Sequence, residues 1–129
     1  MLVKSFLCCE GAKSAHDGLV DLSGVGVSHF VVDGFPAKVT FFLYSRLAAE
    51  VTDALGKKTA RARIMAEDRK LGEMTWQFEM LNEEYSVNLT VPIVFGATRE
   101  GSYRIELSVD ENPEATASWP LGIALGKKN

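Results

Sequence analysis

At 129 residues the chain has room for one domain and is too short for two of ordinary size, so we expect a single domain over residues 1–129. Its apolar fraction of 47% and charged fraction of 24% are those of an ordinary globular protein, which argues against intrinsic disorder. The net charge of −3 is small and the charges are interleaved, which argues against a nucleic-acid partner.

The N-terminal segment does not have the form of an export signal. Its apolar run after Lys4 is only five residues long and is followed by Glu10 and Lys13, which is too short for a signal peptide. Elsewhere no stretch approaches the ~20 apolar residues that a membrane-spanning helix requires. We therefore expect a cytoplasmic protein that does not associate with membranes.

The two cysteines, Cys8 and Cys9, are adjacent. Neighbours in a strand point to opposite faces, so the two side chains cannot join one site without unusual backbone geometry. We expect two buried free thiols in a reducing compartment. A reactive thiol or a strained disulfide between the neighbours is the alternative.

The first third of the chain predicts strands. Residues 2–9 and 38–46 are apolar on both faces, which is typical of strands that are buried on both sides or covered by a loop. Residues 19–32 predict either one long strand or two strands that break near Gly24 or Gly26.

A change of period after residue 45 predicts a helix. Three apolar residues spaced four apart lie between Ser45 and Gly56. With Ser45 as a possible N-cap and Gly56 as a stop, this pattern favours a short helix near 46–55.

The second half of the chain alternates between apolar and polar residues with a period of two. The alternation covers residues 73–81, 85–93 and 102–110, and a last strand is expected at 119–125. One apolar and one polar face per run is typical of antiparallel strands with one side on a core. The sequence therefore predicts an all-β protein, a two-sheet sandwich of about eight strands.

Residues 59–67 alternate as well and predict a hairpin with residues 73–81. The predicted connection is a three-residue loop, Lys70-Leu71-Gly72, with glycine at the left-handed position. The register places a small residue opposite a large one in two of three inner pairs, and it places opposite charges face to face. Its pairs are Ala66–Trp76, Ile64–Phe78 and Ala62–Met80 on the inner face, and Arg63–Glu79 and Arg69–Glu73 on the outer face.

Two prolines predict the positions of strands within the sheets. Pro92 and Pro120 have outward parity inside 85–93 and 119–125, where each removes a ladder donor. Both segments are therefore expected to be edge strands or to lie at strand ends.

Gly101-Ser102-Tyr103 resembles the start of the penultimate strand in immunoglobulin-like and fibronectin-like sandwiches. In those proteins a tyrosine packs at a corner and its hydroxyl bonds the backbone upstream, so the resemblance implies an immunoglobulin-like, Greek-key sandwich. Over its whole length the chain also resembles a group of small uncharacterised bacterial sandwich proteins, which implies a fold and no activity. The residues that carry this likeness are Leu7-Cys8-Cys9, Leu22-Ser23-Gly24-Val25, Phe35-Pro36 and the Gly-x-Tyr.

Residues that could carry chemistry are few. Ser14, His16 and Asp17 are too close in sequence to form a catalytic triad among themselves. Glu10, His16, Asp17 and His29 show no recognised metal-ligand spacing. We expect a solvated turn for His16 and a strand for His29, and we predict no catalytic, cofactor-binding or metal-ligating residue.

A cluster of basic residues is the strongest candidate for binding a partner. Its members are Lys57, Lys58, Arg61, Arg63, Arg69 and Lys70. The simpler interpretation is a solvated strand face whose charges pair with Glu73 and Glu79.

The leading hypothesis is a non-enzymatic module that binds another protein, or its own copies, through a sheet face or edge. The alternative is a small-molecule or carbohydrate-binding domain that uses loops 10–18 and 94–101. The least favoured alternative is a small hydrolase-type enzyme that uses Glu10, His16 or Asp17.

Overall fold

A computed structural model describes residues 2–48, 56–81, 86–110 and 117–126. Within these ranges the chain forms nine strands and one turn of 3-10 helix, His16–Gly18. The strands are β1 Leu2–Ser14, β2 Val20–Val25, β3 His29–Val32, β4 Ala37–Ala48, β5 Gly56–Ala66, β6 Arg69–Met80, β7 Ser86–Ala97, β8 Gly101–Val109 and β9 Ala117–Leu125. The all-β prediction is confirmed, with one strand more than the eight expected.

The strands form two sheets that pack face to face. One sheet has the order β2-β1-β4-β7 and the other has the order β3-β9-β8-β5-β6. Neighbouring strands are antiparallel except for β3 and β9, which run parallel. The predicted two-sheet sandwich is therefore confirmed, and β2, β7, β3 and β6 lie at its edges.

The core lies between the two sheets and is built by period-two alternation. In β4, Phe41 and Leu43 point inward and are at most 3% exposed, and Ile105 in β8 is fully buried on the facing sheet. Aromatic rings fill one end of the core, where Phe95 lies 6.5 Å from Phe41 and 5.7 Å from Tyr103 between ring centroids. Each strand thus presents one apolar face to its counterpart in the other sheet.

The predicted hairpin of β5 and β6 is present, but its predicted register is wrong. Trp76 lies opposite Ala60, whereas the prediction placed it opposite Ala66, six residues away. The turn is the two-residue Glu67-Asp68, in which Glu67 adopts the left-handed conformation with a φ of 56°, and the predicted loop residues belong to β6. Because a shift of six residues is even, the side chains of 73–80 keep the faces that were predicted for them. Arg69 does not, since it lies beyond the register shift and opposite the inner-face residue Ala66.

Leu71 is the extra residue that reconciles the short turn with the rest of the hairpin. Ile64 pairs with Gly72 and Met65 pairs with Lys70, so Leu71 has no partner on β5 and forms a bulge. The small-opposite-large pattern persists in the true register, since Ala62 faces Met74 as Ala60 faces Trp76.

The predicted helix near 46–55 is wrong at its start. β4 runs on to Ala48, and Ser45 is a fully buried strand residue rather than an N-cap. The strand continues because both of its neighbours continue, with Ser45 paired to Phe6 on β1 and to Leu89 on β7. The remainder of the predicted helix, 49–55, lies outside the described residues.

Residues 19–32 form two strands, which confirms the second of the two alternatives. β2 and β3 belong to different sheets, and Gly26 lies between them with a φ of 90°. The amides of Gly26 and Val27 both donate to the carbonyl of Cys8, at 2.8 and 3.2 Å, and the Trp119 indole donates to the carbonyl of Val27 at 2.9 Å. These bonds hold the crossing between the sheets.

The proline interpretation is confirmed for Pro92, since β7 is an edge strand. β9 is not an edge, because it lies between β8 and β3. However, β3 pairs only with 122–125 of β9, so Pro120 has a described strand neighbour on the β8 side alone, opposite Arg104. Each proline therefore has one side without a described strand neighbour. On that side the missing backbone N–H removes no hydrogen bond between strands.

Candidate functional site

β6 is the edge strand least protected against pairing with another chain. β3 is only four residues long, β2 contains Gly24 with a φ of 60°, and β7 contains Pro92. By contrast, β6 has 12 residues without proline and pairs with β5 continuously from Gly72 onward. Short length, bulges and proline are the usual protections of an edge, and β6 beyond its bulge has none of them.

An apolar strip runs along the inner face of β6. Met74, Trp76 and Phe78 are packed against the core, yet all three remain partly exposed. In the described part of the chain no strand lies beyond β6 to cover them. The strip is therefore an apolar surface beside a row of unpaired backbone groups.

Charges on the outer face of β6 are paired within the same subunit. Glu73 accepts from Lys70 Nζ and from Arg61 Nε, both at 2.9 Å. The Lys70 hydrogen bond and the positive charges of Lys70, Arg61 and Arg63 hold the pKa of Glu73 below its usual range. Glu73 is thus paired with basic residues as expected, but the predicted pairs are wrong. Arg69 lies opposite Ala66, and Arg63 lies opposite Glu73 and not opposite Glu79.

Lys58 does not belong to the solvated basic face. It has inward parity on β5, lies opposite Phe78, and is only 8% exposed. Its ammonium lies 3.4 Å from the Asp110 carboxylate, whose other oxygen accepts from the Thr59 amide. Because β5 begins before Lys58, this lysine takes an inward position in the strand and does not contribute to the predicted basic cluster.

A concave cleft of about 340 Å³ lies at one end of the sandwich, between the β5–β6 turn and the β7–β8 loop. The Tyr103 hydroxyl donates to the Arg99 carbonyl at 2.7 Å, which is the backbone bond that the Gly-x-Tyr segment predicts. Arg99 and Glu67 face each other across the cleft at 3.7 Å, but their side chains are 66% and 82% exposed. The cleft is polar and open to solvent. Its lining residues are Ala66, Glu67, Asp68, Arg69, Leu71, Thr98, Arg99 and Tyr103.

Loops 10–18 and 94–101 do not meet, so the predicted two-loop site is not formed. The tip of the β1–β2 hairpin is held at Asn88, whose side-chain amide donates to the Gly18 carbonyl at 3.1 Å. The Asn88 side-chain oxygen accepts from the Tyr44 hydroxyl at 2.8 Å. Residue 94 lies six positions farther along the extended β7, so the two loops approach different parts of this strand.

The structure scatters the candidate chemical residues. His16 and Asp17 are exposed in the 3-10 turn, and His29 is exposed on β3, where its ring lies over Gly122. The Glu10 side chain packs against Gly24. Within residues 2–48, 56–81, 86–110 and 117–126, no group of three or more His, Cys, Asp or Glu is placed to hold a metal ion.

Cys8 and Cys9 are free and fully buried, as expected, and they point to opposite faces of β1. Cys8 belongs to the core, whereas the Cys9 thiol donates to the carbonyl of Phe42 at 3.7 Å. Burial, with a further contribution from the neighbouring Cys9, raises the pKa of Cys8 to about 12. Such a thiol has almost no thiolate near neutral pH, which removes support for the reactive-thiol alternative at Cys8.

Across the described ranges, no helix has the length and apolar character needed to cross a membrane.

The comparisons with known proteins identify a family and no activity. A family model described as a family of unknown function (DUF6941) matches residues 4–124, so the chain belongs to that family. None of the curated proteins matches the sequence.

Proposed function

We propose that this member of a family of unknown function is a non-enzymatic binding module whose β6 edge accepts an extended segment of another protein chain as an additional strand. The observation that carries the proposal is a 12-residue, proline-free edge with a partly exposed apolar strip beside it. In strand addition, main-chain hydrogen bonds supply affinity and pockets for alternate side chains supply specificity.

Electrostatics also favours the middle of β6. Charge on an edge strand opposes pairing, but the Glu73 charge is already compensated by Lys70 and Arg61. The next two outward positions, Thr75 and Gln77, are exposed and uncharged. An incoming strand therefore meets no uncompensated charge along 73–78.

Peptides selected from a displayed random library against the immobilised protein test this function. We expect the selected peptides to alternate apolar and polar residues and, at saturation, to slow hydrogen exchange of β6 backbone amides at least about tenfold. Amides of β7 serve as the internal control, because Pro92 prevents this edge strand from pairing with a peptide. Peptides that protect β2, β3 or β7 and leave β6 unchanged would contradict the proposal.

Immunoglobulin-like, Greek-key character is part of the proposal. The Tyr103 bond to the Arg99 carbonyl supports it, as does the position of β8 between β9 and β5 in the five-stranded sheet. A cytoplasmic location is proposed as well, and the free thiols of Cys8 and Cys9 support a reducing compartment. Bacterial origin stays a prediction.

A second candidate function is the binding of a small neutral carbohydrate in the end cleft. The cleft combines the hydroxyl of Thr98 with two guanidinium groups and two carboxylates, which balance in charge, and it uses part of loop 94–101. Ligand-observed NMR with sugar acids and neutral sugars checks it. We expect signals only for the neutral sugars, with binding weakened at least about tenfold by Arg99→Ala and unchanged by Arg46→Ala on the distant end of β4. Equal signals for both sugar classes would contradict it.

Nothing in the arrangement of the described residues favours the hydrolase alternative. His16 is open to solvent in a turn. A general base needs a substrate-sized cleft around it and a group to orient it.

A further inference from the structure

We infer that the occupant of the β6 edge is a second copy of this chain, paired antiparallel to the first about a two-fold axis at Thr75. This inference rests on the proposed function, because it names the partner of the same edge. Such pairing joins two five-stranded sheets into one continuous sheet of ten strands. A two-fold interface requires a surface that is complementary to itself.

Self-complementarity appears when residues at equal distances from Thr75 are placed opposite each other. On the inner face, Met74 meets Trp76 of the partner subunit, and Gly72 meets Phe78 of the partner subunit. The first pair joins a thioether to an aromatic ring, and the second covers an edge glycine with an aromatic side chain. On the outer face, Glu73 meets the uncharged Gln77 of the partner subunit.

Charge disfavours the registers whose axis lies farther along β6. An axis at Trp76 would set Glu73 directly opposite Glu79, and an axis at Gln77 would bring the same two carboxylates together diagonally. An axis at Thr75 instead brings Lys70, which the Leu71 bulge turns to the outer face, beside Glu79 of the partner subunit. At both ends of the paired segment Lys70, which also bonds Glu73 of its own chain at 2.9 Å, thus lies near a carboxylate of the partner subunit.

Only one edge strand of each subunit contributes to the interface, so the surface area that it buries is small for a stable complex. Small interfaces belong to transient assemblies. We therefore expect a dimer that dissociates on dilution within the micromolar range.

Sedimentation velocity of the full chain over micromolar concentrations tests the inference with two matched variants. Thr75→Glu gains an attractive partner in its own sheet, because Thr75 lies opposite Arg61. In the dimer the two substituted positions face each other, so we expect the dimer dissociation constant to rise at least about tenfold. Gln77→Lys places a cation opposite Glu73 of the partner subunit, so we expect an equal or lower dissociation constant. Circular dichroism confirms that both variants are folded.

The outcomes separate this inference from the function on which it rests. A strict monomer whose β6 amides are protected by selected peptides overturns the second copy as partner and leaves the β6 edge as the binding site. A dimer unaffected by Thr75→Glu, or weakened equally by Gln77→Lys, overturns the register at Thr75. A monomer whose selected peptides leave β6 unprotected overturns both.

Discussion

The free energy of unfolding is expected to fall steeply as the pH rises from 9.0 to about 12, because the buried Cys8 thiol stays protonated in the folded protein. In the unfolded chain the thiol ionises near its ordinary pKa of 9.0, whereas burial and the neighbouring Cys9 raise its pKa to about 12 in the fold. The unfolded state therefore loses a proton that the folded state retains. This contribution is fully present below pH 9.0 and is lost at about 1.4 kcal/mol per pH unit, or about 4 kcal/mol in all.

Denaturant unfolding at a series of alkaline pH values measures this effect. We expect the slope of stability against pH to be smaller by about 1.4 kcal/mol per unit in Cys8→Ala than in the wild type. Val94→Ala on the exposed face of β7 is the control, because it leaves both thiols in place. Equal slopes for the wild type and Cys8→Ala would show that this thiol ionises in the folded protein.

Leu43→Ala is expected to lower the free energy of unfolding by about 2–5 kcal/mol. Leu43 is fully buried in the middle of β4 and is paired with Cys8 on one side and with Val91 on the other. Truncation removes apolar burial and leaves a cavity that two hydrogen-bonded neighbours prevent from collapsing.

Val94→Ala is the control for Leu43→Ala, since Val94 lies on the outer face of β7 and is 52% exposed. We expect it to change the free energy of unfolding by less than about 0.5 kcal/mol. Equal losses in the two variants, measured by denaturant titration, would mean that the outer face of this sheet is as buried as the core.

The unequal protection of the four edges is the main structural reason to place binding at β6. Natural sheets suppress unwanted pairing with proline and short strands, and β7 carries Pro92 while β3 and β2 have only four and six residues. The Leu71 bulge of β6 protects only the first residues of that strand. A 12-residue edge without proline is an aggregation risk unless something pairs with it. Specific pairing with a second copy would remove that risk and add function at the same position.

Only part of the candidate site could be predicted from the sequence. Alternation from 73 to 81 predicts a strand with one wet face, and that strand is β6. Prolines predicted that 85–93 and 119–125 are edge strands or strand ends. The absence of proline from β6 does not by itself predict an edge strand. Whether a strand lies at an edge depends on its spatial neighbours, which are remote in sequence, so local pattern could not identify β6 as the free edge.

Sequence alone determined the all-β class, the faces of 59–66 and 73–80 in the β5–β6 hairpin and the buried pair of thiols, and the resemblance of Gly101-Ser102-Tyr103 to a known segment implied the tyrosine bond. All of these follow from local rules, namely the period-two geometry of a strand and the chemistry of a short segment. Tertiary structure alone decided the register of the hairpin, the extension of β4 through Ser45, the inward position of Lys58 and the separation of loops 10–18 and 94–101. Each of these depends on a turn conformation or on backbone pairing with a strand distant in sequence. Hydrophobic alternation cannot determine such pairing, because an even shift in register leaves every side chain on the same face.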